Sequence, residues 1–421
     1  MTQSSDVSPA GVPSPSKVEG SRSAFMDWFW RPPRPHGATI RDRIVTNLEL
    51  FYDLAYVAVI GEAAHHLAED VSTRTISEFA VVFAMIWFAW INGSLYLEIH
   101  GRQDGRTRTF VFIQMGIVVL LAVFAGGATG QGGGSFAVVY ALLLTVMGWL
   151  WYSVRRQDEL RYRTLTGWYV LGMAISVAAV LASALIPIEA RLIVWTAFCL
   201  AWVVAFVVFG WIREFEVALA PTHSMVERFD LFTIIVLGEV IIGVVDGMSH
   251  ANPDLVTIAT GLLGLFVGFG FWWSYFDVVA RRLPQPGGSA LVTWLLSHLP
   301  ITMAIAAAGA AMTSLIGHAH DSGAPQATAW LISGAVAVGL IALVPTALAL
   351  ADAVQLHAVY RKIGSTMIAG AVAALALGWV QTPPWVLALL LSAILAIVWL
   401  VVISRFLRAH AWSEAEVEGT W

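Results

Sequence analysis

Apolar runs long enough to cross a lipid bilayer follow one another from about residue 48 to residue 406, with short connections between them. A hydrocarbon core of about 30 Å needs roughly 20 mainly apolar residues per helix. The runs predict twelve spans, near 48–67, 79–99, 109–127, 135–154, 165–186, 191–211, 229–247, 255–280, 290–316, 327–350, 365–380 and 385–406. They are continuous and do not alternate on a period of two, which argues against a barrel. Backbone groups in lipid must bond internally, so such runs mean helices. The expected fold class is all-α, a polytopic membrane protein.

Composition narrows the function classes. Charged residues make up 12% of the chain and hydrophobic ones 58%; soluble domains carry about 25% charge. The formal net charge of −5 offers no positive field for a polyanion, so nucleic acid is excluded as a partner. The single cysteine, Cys199, lies in an apolar run and excludes a disulfide framework or a cysteine-based metal cluster. Gly130 to Gly134 lacks the Lys-Ser/Thr of a phosphate loop, and there is no His-Glu-x-x-His run. No cofactor or metal is expected.

Basic residues set the expected orientation. Of 23 Lys and Arg, 21 fall in the N-terminal tail, the alternate loops that follow even-numbered spans, and the C-terminal tail. The other two are Arg74 and Arg191. Both termini are therefore expected in the cytoplasm. Residues 1–40 read as a flexible tail ending in an interfacial segment with Phe25, Trp28, Phe29, Trp30, Arg31 and Arg34. Residues 409–421 read as a short polar tail.

The first span carries Asp53-Leu54 and, further on, Gly61-Glu62; the seventh carries Asp230-Leu231 and Gly238-Glu239 at the same offsets. Tyr96-Leu97-Glu98 with Arg102 likewise matches Tyr275-Phe276-Asp277 with Arg281. Two matches in the same order predict a duplicated unit, 41–212 and 213–408, each of six helices. An even number of spans makes the repeats parallel.

Glu49-Leu50-Phe51-Tyr52-Asp53-Leu54, Leu237-Gly238-Glu239 and Trp272-Trp273-Ser274-Tyr275-Phe276-Asp277 resemble the bacterial low temperature requirement A (LtrA) family, as does His298 shortly before Pro300. The resemblance runs from about residue 40 to 405. It implies a multi-pass protein of the bacterial cytoplasmic (inner) membrane and supplies no substrate.

Glu62 and Glu239 are the foremost candidates for chemistry. A charge deep in a span costs at least about 2.5–3.5 kcal/mol, and such groups usually face the bundle interior or a water cavity. They are candidate proton or ion sites, against the alternative of protonated acids that only bond a neighbouring helix. Asp53 and Asp230 lie nine residues earlier, which turns them to the opposite helix face. With Glu49, Glu98 and Asp277 they read as a polar layer at the cytoplasmic side, with Arg43, Arg102 and Arg281 as plausible partners. His65 and His66 share the Glu62 face and could relay its proton, although interfacial histidines are the plainer reading. His298 is either a relay or a neutral histidine bonded between helices.

The expected function is transport of an unknown small solute or ion, coupled to protons through Glu62 and Glu239. A two-repeat cation channel, and an intramembrane enzyme or lipid-handling protein, remain as alternatives. Self-association is left open; the lipid bilayer is the expected partner.

Overall fold

A computed structural model describes residues 25, 29–36, 43–212, 219–251 and 254–408. The two expected tails lie outside these residues, apart from the interfacial positions 25 and 29–36; Trp28 also lies outside. Among the described residues the fold is all-helical, with a single isolated bridge between Pro284 and Leu350.

Twelve long helices follow in chain order: α1 Asn47–Glu69, α2 Thr73–His100, α3 Gly105–Ala125, α4 Gly133–Arg155, α5 Leu160–Ser183, α6 Ile188–Phe209, α7 His223–His250, α8 Leu255–Phe276, α9 Gly288–Gly317, α10 Gln326–Leu348, α11 His357–Leu377 and α12 Pro384–Arg408. Ten of them are long and apolar enough to cross a membrane. The other two are α1, which contains Glu49, Asp53, Glu62 and Glu69, and α11, which contains Arg361 and Lys362.

Short polar side chains start the helices where the sequence supplies them. Thr46, Asp104, Thr222 and Asp254 each accept from the backbone N–H three residues on, and Ser72 forms a reciprocal capping box with Thr75. These bonds satisfy donors that a helix start leaves open. The bond from the Thr257 N–H brings the Asp254 carboxyl below the usual carboxylate range.

The centre of the bundle is α2 and α9, the most enclosed helices. Helix α1 packs on both, and on α3 and α7, so the first six helices meet the last six along α1, α7 and α9. The crossing of α7 and α9 is close because glycines face each other. A Cβ at Gly309 would stand 2.5 Å from the Glu239 carbonyl oxygen, and one at Gly243 would stand 2.1 Å from the Gly309 carbonyl oxygen. Small residues are what let helix backbones approach in lipid.

Two features depart from the sequence reading. The eighth span was expected to reach residue 280, but α8 ends at Phe276 and the chain turns through Asp277 to Arg281. Arg281 has φ 63°, the left-handed region, and its N–H donates to Asp230 at 2.8 Å. That tertiary bond holds the turn that follows the helix. Second, Arg228 was counted with the loops; it lies inside α7 and is buried, with 2% exposure. Pro300 stands within α9, which continues through it as the expected span 290–316 does.

Arg74 and Arg191, at the opposite end from most basic residues, are engaged locally. Arg74 donates to Glu78 at 2.7 Å, and Arg191 donates to the Ser183 and Ile186 carbonyls at the end of α5. A cation at a helix C-terminus satisfies carbonyls and suits the helix dipole.

Candidate functional site

Three polar groups lie where the helices meet. The first surrounds Asp53 on α1, which is fully buried. Its Oδ1 accepts from Arg228 Nη2 at 3.0 Å and from Trp90 Nε1 at 2.8 Å. Arg228 also sits over the Tyr52 ring, 5.6 Å from its centroid. Its Nη1 faces Glu49 Oε2 at 3.8 Å, an ion pair too long for a hydrogen bond, and neither atom has a hydrogen-bond partner. Arg228 Nε and Asp53 Oδ2 are likewise buried without one. Arg43 joins Glu49 to Glu98, and Glu98 accepts from Thr222 at 2.7 Å and Ser224 at 2.6 Å. This cluster ties α1 and α2 to the start of α7.

The second group surrounds Asp230 on α7. Its Oδ1 accepts from the Tyr275 hydroxyl of α8 at 2.9 Å and its Oδ2 from the Arg281 N–H. The same hydroxyl stands 3.0 Å from His298 Nε2 of α9, and His298 Nδ1 stands 2.7 Å from the Trp294 carbonyl. His298 is completely buried.

The third is Glu239, buried with 5% exposure. A Cβ at Gly61 of α1 would stand 3.2 Å from its Oε1, so the carboxyl lies against the bare backbone of α1. Among the described residues no hydrogen bond reaches that carboxyl.

Between the first two groups lies an aromatic stack. Trp90 is stacked on Phe232 with centroids 3.9 Å apart and meets Phe229 edge-on at 5.0 Å. Phe229 in turn meets Trp294 at 4.7 Å and His298 at 4.8 Å. Above the Asp53 cluster, a cavity of about 770 Å³ is lined by Arg31, Arg34, Arg43, Glu49, Arg102 and Arg108, among others. Arg43 and Glu49 belong to both the cavity wall and the ion cluster.

The expected site residues divide accordingly. Glu49, Asp53 and Glu98 join one network, with Arg43 as partner; Arg228, whose role sequence reasoning missed, holds its centre. Asp230 belongs to a separate group. Asp277 accepts from Trp399 Nε1 at 2.6 Å. Of the other partners expected for the acids, Arg281 serves through its backbone and Arg102 donates to the Pro32 carbonyl. The expectation of two sheltered glutamates needs correction at Glu62. It is exposed, on the stripe with Phe51, Leu54, Ala58 and His65, because Asp53 takes the interior face and nine residues turn α1 by half a revolution. In α7 the same spacing leaves both acids buried, since α1, α8 and α9 cover more of that helix. His65 and His66 stand 3.6 and 3.7 Å from Glu69. Their nearest carboxylate partner is thus Glu69 and not Glu62. Among the described residues no three His, Cys, Asp or Glu side chains gather as a metal site.

The family model for the bacterial low temperature requirement A protein (LtrA) matches residues 44–404. The chain belongs to the LtrA family. The matched stretch runs from the residue after Arg43 to nearly the end of α12, so all three groups of this LtrA chain lie on it except Arg43. An uncharacterized protein of Rhizobium meliloti (strain 1021) is 23% identical over 272 residues. That alignment covers 60% of this LtrA chain and 65% of the relative's length. No solved structure matches it.

Arg228 could have been found from sequence. It stands two residues before Asp230 at the head of a long apolar run, where a charge calls for a buried partner. Tyr275 was visible only as part of a repeated motif; its two bonds are tertiary and leave no local signal.

Proposed function

We propose that this LtrA protein is an integral membrane transporter of a small solute or ion, in which protons bound between the two sets of six helices couple to movement. One observation carries the proposal: the charged cluster at that contact is only half closed. Arg228 Nη1 and Glu49 Oε2 face each other at 3.8 Å, both buried and both without a hydrogen bond. A buried charged group left unbonded is costly. A small relative shift of α1 and α7 would close that contact, so the interface is suited to two packings, as alternating access requires.

The cavity beside it supports this reading. Its wall includes Arg43 and Glu49, so a solute entering there meets the cluster directly. The filled stack of Trp90, Phe229 and Phe232 favours a carrier that opens by rearrangement over a standing pore. Under the orientation expected from the basic residues, the cavity faces the cytoplasm of a bacterial inner membrane and the repeats 41–212 and 213–408 move about an axis normal to it.

Glu239 is the better coupling group of the two glutamates. An ionised carboxylate there has no donor to hold its charge, whereas Glu62 lies on the exposed stripe. The test is a flux screen of small solutes and ions into liposomes carrying the purified protein, with and without an imposed pH gradient. We expect a flux that the gradient drives, that Glu239→Gln uncouples from pH, and that Glu62→Gln preserves. Gradient-driven flux unchanged in Glu239→Gln would remove Glu239 from the mechanism; absence of any flux across the screen would count against transport itself.

A further inference from the structure

We propose that Asp230, Tyr275 and His298 form a proton wire that holds one exchangeable proton and passes it between the basic end of the bundle and its interior. It deepens the transport reading by naming a second proton-carrying group, and it rests on that reading only for its purpose.

Counting protons leads to it. The Trp294 carbonyl can only accept, so His298 Nδ1, 2.7 Å away, carries a hydrogen. Nε2 is then bare in the neutral ring and protonated only in the cation. The Tyr275 oxygen lies 3.0 Å from Nε2 and 2.9 Å from Asp230 Oδ1. Both are hydrogen-bond distances, and each bond requires one proton. Tyrosine has a single hydroxyl proton. With an ionised aspartate and a neutral histidine, one of the two contacts would set lone pair against lone pair.

A second proton resolves this in either of two ways. It can sit on His298, which then donates to the tyrosine oxygen while tyrosine donates to the carboxylate. Or it can sit on Asp230, which donates to the tyrosine oxygen while tyrosine donates to Nε2. The two forms interconvert by a paired shift: one O–H bond breaks at Asp230 and one forms at Tyr275, as the original Tyr275 O–H breaks and an N–H forms at His298. Atoms and total charge balance, and no other reactant takes part.

The surroundings suit a wire with one open end. Asp230 keeps 8% exposure, its second oxygen held by the Arg281 N–H. The charged side chains that act on it are those of Arg281 and Glu227. At the other end His298 has no exposure and lies among Phe229, Trp294 and Tyr275. Thr233, beside Tyr275, donates its own hydroxyl proton to the Phe229 carbonyl. Of the helices packed on α9, α10 carries no charged residue. Asp53 and Glu49 of α1 face Arg228 of α7, and Glu98 of α2 bonds Arg43. The remaining acid of α7 on this side is Glu239, nine residues and roughly 13 Å along the helix from Asp230. The charged residues of α6, Glu189 and Arg191, sit in its first turn at the opposite end. Exchange of the shared proton is thus left to the partly exposed Asp230 end.

The experiment is nitrogen-15 NMR of the full chain, labelled at histidine and reconstituted in lipid, with the His298 signal assigned by its loss in His298→Asn. In the unsubstituted protein we expect Nε2 to report a proton shared with, and titrating together with, a protonated aspartate seen in isotope-edited infrared spectra. Tyr275→Phe removes the middle oxygen and should separate the two titrations. Asp230→Asn keeps the shape but holds no exchangeable acid proton, and should fix His298 in the neutral Nδ1–H form at every pH. This variant preserves the inference's exposure to failure should Tyr275→Phe not fold. A His298 that is neutral and indifferent to both substitutions overturns the wire. The readout needs no substrate, so a wire observed without flux would leave it standing while the transport reading fails, and pH-driven flux with no shared proton would do the reverse.

Discussion

Asp53 and Asp230 occupy matching places in two matching stretches of sequence, yet the molecule treats them differently. Asp53 is ionically paired, and its partner, Arg228, comes from the other set of six helices. Asp230 is bonded by a phenol and a backbone N–H from its own set, α7 to α9 and the turn after α8. One acid fastens the two sets together; the other belongs to a hydrogen-bonded chain within one set. The same residue at the same offset thus serves attachment in one place and proton exchange in the other. The cause is Arg228: the residue matching it in α1 is Phe51, which is exposed.

The largest test of that contrast is removal of the cation. Arg228→Leu leaves Asp53 and Glu49 buried with no positive partner. Breaking a buried pair from one side costs about 3–5 kcal/mol. We expect a loss of that size in unfolding of the purified protein in micelles, and partial recovery when Asp53→Asn is added. Asp230→Asn, which leaves hydrogen bonding possible, should cost about 1 kcal/mol. Equal losses from Arg228→Leu and Asp230→Asn would erase the distinction.

The matched tyrosines give the next contrast. Tyr275 makes two bonds, whereas Tyr96 takes one long bond, 3.4 Å, from Arg106. Tyr275→Phe should cost about 1–3 kcal/mol and Tyr96→Phe about 0.5 kcal/mol or less. The same unfolding measurement ranks them, and the reverse order would show that the motif match, and not the observed bonding, sets their weight.

How much of this could be read beforehand depends on whether the cause is local. Each helix in lipid must satisfy its own backbone, so a run of apolar residues is enough to reveal it, and each of the twelve runs overlaps one helix of the structure. The opposed faces of Asp53 and Glu62 also follow from the 100° step of a helix. The end of α8 was not legible, because the turn after it is held by a bond from Arg281 to a residue 51 positions away. The burial of Glu239 follows the expectation for an acid deep in a span, but its contact with Gly61 of another helix was not legible. Arg228 was misplaced for a related reason. Counting charges assigns every arginine to water; only its place at the head of a long apolar run marks this one as buried and paired.

The two sets also differ where they meet the basic end. The first is covered by the N-terminal segment: the His36 N–H donates to Asp158 at 3.0 Å, its ring lies at the same distance, and Thr166 donates to the same carboxylate at 2.6 Å. At the second, Arg282 bonds Asp352 and Tyr360 without a buried carboxylate. Burial pushes the Asp158 carboxyl up, but bonds from His36 and Thr166 outweigh it and hold the group below its usual range. A depressed carboxylate contributes stability that is complete above its unfolded value of about 3.9 and lost as pH falls through the lower folded value. Hydrogen exchange of residues 29–36 should therefore rise on acidification below that range, and Asp158→Asn should raise it already at neutral pH, by about 1 kcal/mol of local opening. Protection unaffected by the substitution would mean that ring contacts, stacked on Tyr162 and edge-on to His100, hold the segment instead.

The smallest contrast is between the glycines that precede the two glutamates. A Cβ at Gly61 meets the Glu239 carboxyl at 3.2 and 3.3 Å, while one at Gly238 meets nothing within 4 Å. Replacing glycine by alanine inside a helix favours the helix by about 0.5–1 kcal/mol where space allows. Gly238→Ala should therefore be neutral or stabilising by up to that amount. Gly61→Ala gains the same backbone term but must move a buried carboxyl by a few tenths of an ångström, which offsets it. Its more telling effect should be on Glu239 itself: in the liposome assay, Gly61→Ala should alter the pH dependence of flux and Gly238→Ala should leave it unchanged. If the two substitutions act alike in both measurements, the close contact between α1 and the Glu239 carboxyl has no part in setting the behaviour of that acid.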